Sequence, residues 1–129
     1  MNNKQVKILF QLSALFNISV ALTLLFATDL FIEIFQLGAA ATQPVFVHLF
    51  AIVVLAFGGL YYYISTKPLE CRAEIYFGMY AKLGVVVVCL VDTLSGLVVW
   101  TINIPAFFDL VFAYLFYNVI RSQTIYTQI

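Results

Sequence analysis

Charge is what this sequence has least of. Six basic and six acidic residues make up 9% of a 129-residue chain. A soluble domain carries about 25% charged residues, because it needs them to cover its surface. The shortage excludes an ordinary soluble globule, and it equally excludes disorder, which is polar and charge-rich. The zero net charge leaves no basic face for nucleic acid. Cysteine is nearly as scarce. Cys71 and Cys89 form no CxxC pair, which argues against a thiol–disulfide relay. They read as a reduced loop thiol and a small buried apolar residue. The single histidine, His48, supplies too few nitrogen ligands for a zinc pattern, and neither metal nor cofactor is expected.

Apolar residues make up 64% of the chain, so its main solvent is lipid. At about 20 residues per spanning helix, the chain has room for four or five spans. Four apolar runs stand out, near residues 8–27, 45–64, 75–100 and 105–120. The second and fourth are entered through Pro44 and Pro105, and a proline fits a first helical turn. Backbone amides in lipid must pair within their own segment, and period-2 alternation is absent, so the runs are helices rather than barrel strands. The first run is too long for a signal-peptide core and is interrupted by Asn17. Ala39 to Ala41, the one candidate cleavage site, lies far downstream. The expected fold is all-α: one membrane domain, a four-helix transmembrane bundle, over residues 1–129.

Residues 29–37 carry Asp29, Glu33 and Gln36 on one helical face and apolar residues elsewhere. They read either as a short helix lying in the membrane interface or as an extension of the first span. Gly38 to Ala41 then gives a small-residue turn.

Five of the six basic residues fall on one side of this topology. Lys4 and Lys7 precede the first span, Lys67 and Arg72 lie between the second and third, and Arg121 follows the fourth. The positive-inside rule makes that side cytoplasmic, with both termini there. Tyr61, Tyr62, Tyr63 and Tyr76 read as an inner aromatic belt, and Trp100 as an outer one. Lys67, Arg72 and Tyr62 are candidate headgroup contacts.

A charge near a spanning helix's centre costs about 2.5–3.5 kcal/mol on insertion scales and needs a reason to be there. Lys82, Asp92 and Asp109 are such charges, with Asn17 and His48 as neutral companions. Counting about 1.5 Å per residue along each run places Asn17 and Lys82 in an inner layer, and His48, Asp92 and Asp109 in an outer one. Lys82 is expected to snorkel toward the cytosol. The outer group reads either as a hydrogen-bonded packing network or as a proton- or cation-handling site. Three stripes are expected to face the interior: Ser13, Asn17 and Ala21; His48, Ala51, Leu55, Gly59 and Tyr62; and Gly78, Lys82, Val85, Cys89, Asp92 and Gly96.

His48-Leu49-Phe50-Ala51, Gly58-Gly59-Leu60-Tyr61-Tyr62, Pro68, Arg72, Gly78-x-x-x-Lys82 and Phe108-Asp109-Leu110 together form a pattern over residues 45–112. The pattern resembles uncharacterised small bacterial four-helix integral membrane proteins and, more distantly, DoxX-like proteins. That resemblance implies the fold, an inner-membrane location and importance for His48, Pro68, Arg72, Lys82 and Asp109. It implies no reaction.

The expected function is that of a small multi-pass inner-membrane protein without enzymatic activity, working through a membrane-protein partner or as a homo-oligomer within the lipid bilayer. Two alternatives stand beside it. One is a proton- or cation-linked transporter or channel using the polar layers. The other is a binder or enzyme for a lipophilic molecule such as a quinone or lipid. A polar stripe that lines a cavity would separate these from a packed core.

Overall fold

A computed structural model describes residues 1–38 and 43–127, with the side chains from residue 124 onward left undescribed. The turn expected over Gly38 to Ala41, apart from Gly38 itself, lies outside these residues. The helices are α1 (Asn3–Phe26), α2 (Thr28–Ile34), α3 (Pro44–Thr66), α4 (Arg72–Leu94) and α5 (Asn103–Thr127), with a 3-10 turn at Trp100–Ile102 before α5. Among the described residues there is no strand. Four of the helices are long and apolar enough to cross a membrane.

Local chemistry sets the helix ends. Asn2 and Gln5 cap α1 reciprocally, each side chain bonding the other's backbone N–H at 2.9 Å. Ala27, at φ −132° and ψ 44°, separates α1 from α2. Residues 29–37 therefore hold a distinct short helix and do not extend the first span. Pro44 opens α3. The third span ends at Leu94, six residues short of the expected Trp100. Gly96 adopts φ +73°, where glycine is favoured, and the N–H groups of Gly96 and Leu97 bond back to the carbonyls of Thr93 and Asp92. This is a Schellman stop. At the other end of the span, helix geometry begins at Arg72 rather than Ile75.

The helices associate as two pairs, α1 with α3 and α4 with α5, and the pairs meet more sparsely. Small residues allow the close approach within the first pair. A Cβ on Gly58 would stand 2.7 Å from the Ile18 side chain. The inward face of α3 is consequently Ala51, Gly58, Tyr61, Ile64 and Ser65. The expected stripe through Leu55, Gly59 and Tyr62 is thus out of phase, and only its Ala51 is buried. Tyr61 is only 1% exposed and belongs to the core, not to an aromatic belt. The α1 stripe is as expected, with Ser13, Asn17 and Ala21 all buried.

One end of the bundle holds the N-terminus, the α3–α4 turn and the far end of α5, where the Gln123 side-chain amide donates to the Pro68 carbonyl at 3.0 Å. It is filled by Phe10, Tyr61, Ile64, Ile75, Phe116 and Val119. The other end carries α2 and the 3-10 turn, joined where the Thr101 hydroxyl donates to the Phe35 carbonyl at 2.9 Å.

Candidate functional site: a buried ion pair facing a cavity

Lys82 sits midway along α4, on the inward face it shares with Ile75, Gly78 and Met79, and is 3% exposed. A lysine at that depth keeps its charge only with a partner. Asp109 on α5 supplies one, with Lys82 Nζ 2.5 Å from its Oδ1. Asn17 on α1 supplies a second acceptor, its Oδ1 taking a Lys82 hydrogen bond at 3.1 Å. The Asn17 amide nitrogen donates in turn to the Val54 carbonyl on α3 at 3.4 Å, so the network reaches all four long helices.

Aromatic rings enclose the ammonium. Nζ lies 5.1 Å from the ring centres of Tyr61 and Phe112 and 5.6 Å from that of Phe16. Such faces attract a cation, and more so where water is excluded. Tyr61 is held in place by its hydroxyl, which donates to the Gly78 carbonyl at 3.4 Å. Gly78 is required here, since a Cβ would come within 2.7 Å of the Tyr61 ring. An ammonium has three N–H donors. Two are taken by Asn17 and Asp109, which leaves one for the surrounding ring faces or the cavity.

Beside this centre lies a cavity of about 170 Å³ between the two helix pairs. Asn17, Lys82 and Asp109 are its polar and charged wall. The rest is apolar or aromatic: Phe16, Val20 and Phe31, then Phe50, Val53, Val54, Phe57 and Tyr61 on α3, Ala81, Val85 and Cys89 on α4, Ile102 in the 3-10 turn, and Pro105 and Ala106 at the start of α5.

This geometry redraws the two expected layers. Lys82 does not snorkel toward the helix end; its ammonium is turned to Asp109 and Asn17. The separation of Lys82 from Asp109 came from counting depth from span ends that were misplaced. Starting α4 at Arg72 raises Lys82 by about 4.5 Å, and starting α5 at Asn103 lowers Asp109 by about 3 Å. The triad of His48, Asp92 and Asp109 does not assemble around the cavity. His48 is exposed in the first turns of α3, where its Nε2 lies 3.4 Å from the Thr28 hydroxyl. Asp92 lies two residues from the end of α4 and does not line the cavity. Sequence reasoning missed Tyr61 and Phe112. The signal for Tyr61 was its i+17 partner Gly78, a small residue placed to receive a ring.

Among the expected headgroup contacts, Lys67 pairs with Glu70 at 3.9 Å and lies 4.6 Å from the Tyr63 ring centre. A hydrogen bond with Tyr63 raises its pKa above the ordinary lysine value. Arg72 lies 5.9 Å from the Tyr76 ring centre, and Tyr62 is exposed. Next to them, burial pushes the Cys71 thiol up, with Glu74 adding to the shift. Among the described residues no group of three His, Cys, Asp or Glu side chains is placed to hold a metal ion. No protein-family model, curated protein or solved structure matches this chain.

Proposed function

We propose that this is a multi-pass membrane protein that binds a lipophilic small molecule by its polar head, with Lys82 as the donor. The observation that carries this is the Lys82, Asp109 and Asn17 cluster set in the wall of a cavity whose other walls are apolar and aromatic. A binding site built of apolar walls and a few convergent polar groups fits such a ligand. The polar centre faces the inside of one chain, which favours a small ligand over a protein partner or second copy. It also gives a single charged station and not a series across the bilayer, which favours binding over ion conduction.

The test is copurification. Protein extracted with its native lipid should carry a stoichiometric lipophilic compound, identified by mass spectrometry, and the matched apolar variant Lys82→Met, Asp109→Leu should lose it while remaining folded. Equal amounts on both proteins would refute the reading.

We place the protein in the inner membrane with both termini in the cytoplasm. In support, Lys4, Lys7, Lys67, Arg72 and Arg121 all lie toward the same end of the bundle, as the positive-inside rule requires of a cytoplasmic face. A cysteine placed at Gln43 should react with an impermeant maleimide added from outside, and one at Lys67 should not. The reverse pattern would invert the orientation.

A further inference from the structure

On the α1–α5 side of the Lys82 cavity lies a second cavity of about 290 Å³, walled in part by Ser19 and Thr23 of α1, Phe35 just past α2, and Ile104 and Phe108 of α5. Phe16, Val20, Phe31 and Pro105 line both cavities, so the two lie back to back across the same side chains. The second is apolar apart from the Ser19 and Thr23 hydroxyls, and that of Thr23 is spent on the Ser19 carbonyl at 2.9 Å. On the opposite side of the bundle, the parallel stack of Phe57 on Phe77, with ring centres 5.7 Å apart, lies across the α3–α4 gap.

We infer that the ligand is a single-tailed amphiphile with a neutral, acceptor-bearing ring as its head, and that its tail runs out between α1 and α5 in this second cavity. The inference rests on the proposed binding function and adds the ligand's class and path. Three observations fix the head. A dry cavity of about 150 Å³ holds benzene, so about 170 Å³ takes one six-membered ring. The walls offer aromatic faces for that ring to pack on. Asp109 already balances the Lys82 charge, so an anionic head would add an uncompensated buried charge, whereas a carbonyl oxygen would satisfy the spare N–H. The second cavity has the chemistry of a tail site: its lining is mostly apolar, and only the four shared side chains part it from the head site, so the tail passes between them.

Two probes test this: tetramethyl-1,4-benzoquinone, and the same ring with one methyl replaced by a decyl chain. Binding is measured to the whole chain in lipid nanodiscs by quenching of intrinsic fluorescence, with probe expressed as mole fraction in lipid so that partitioning cancels. The wild type should bind both, the decyl probe about threefold to tenfold more tightly, the gain expected of tail packing alone. Ser19→Trp fills the second cavity and should reduce the decyl probe to the affinity of the tail-less one, whose own binding stays unchanged. Thr23→Phe fills the same space should Ser19→Trp not fold. If the two probes bind the wild type equally, or the filled variants keep the decyl advantage, the tail path is wrong while the head site stands. If decanoic acid binds more tightly than either ring, the neutral head is wrong. If no probe binds, the binding function falls and the inference with it.

Discussion

The two ends of the bundle are built from different sizes of side chain. Around the N-terminus and the α3–α4 turn, the interior is Phe10, Tyr61, Ile64, Ile75, Phe116 and Val119, each at most 1% exposed. The Phe10 and Phe116 rings stack with centres 4.6 Å apart, and Tyr61 meets Phe116 edge-on at 5.3 Å. Beyond Lys82, toward α2 and the 3-10 turn, the buried residues are Ala21, Leu24, Ala51 and Ala106. In lipid, helices gain nothing from hiding apolar surface, because tails are as apolar as leucine, and interlocking shape has to do the work. Large residues close one end. Small ones bring α1 against α3 at the other but cannot fill the space between the pairs. The lysine sits at the border between these regimes, which lets one charged network touch both a packed core and a cavity.

The largest effect should come from breaking the border itself. Asp109→Leu leaves Lys82 buried without a counter-ion, so it must either bear an uncompensated charge or give up its proton, at a cost of roughly 3–5 kcal/mol. The double variant Lys82→Met, Asp109→Leu should recover most of it, because a matched apolar pair restores packing without burying charge. Thermal unfolding in one detergent compares the three proteins. A double variant as unstable as the single would mean that the pair, and not the orphaned charge, supplies the stability.

Next comes the contrast between the ends. Phe116→Ala should cost about 2–3 kcal/mol, below the range for a soluble core, since the loss is of packing and not of transfer out of water. Phe31→Ala, on the cavity wall, should cost under about 1 kcal/mol, because it enlarges space that is already there. Similar values from reversible unfolding of the two would erase the distinction between a closed and an open end. The last contrast, between a substitution of modest cost and a neutral one, separates two glycines. Gly78→Ala should cost about 1–3 kcal/mol by pushing on the Tyr61 ring, while Gly59→Ala, with nothing within 4 Å of its new methyl group, should be neutral. A neutral Gly78→Ala would show that the ring has room to shift.

The span count, the all-helical class and the buried face of α1 were legible, because each rests on a run length or an i, i+4 spacing that survives without knowledge of neighbours. The face of α3 was not. That helix is apolar on nearly every side, so hydrophobicity does not orient it. The contact of Gly58 with Ile18 does, and it turns the helix about one residue from the stripe through Gly59. Asn17 and Lys82 were legible as companions, whereas the bond from Lys82 to Asp109 was hidden by the misread starts of the third and fourth spans, and the third span's end was misread as well. The stop signal, Ser95-Gly96, was present in the sequence, inside a run apolar enough to be read through it.

The order of residues in the network bears on how it is made. Synthesis runs from the N-terminus, so Lys82 is made 27 residues ahead of its counter-ion Asp109. Asn17, 65 residues earlier, is already in place. Of the lysine's two acceptors, then, the neutral amide is the elder and the charged one the younger, and the ion pair cannot close until the last helix has been made.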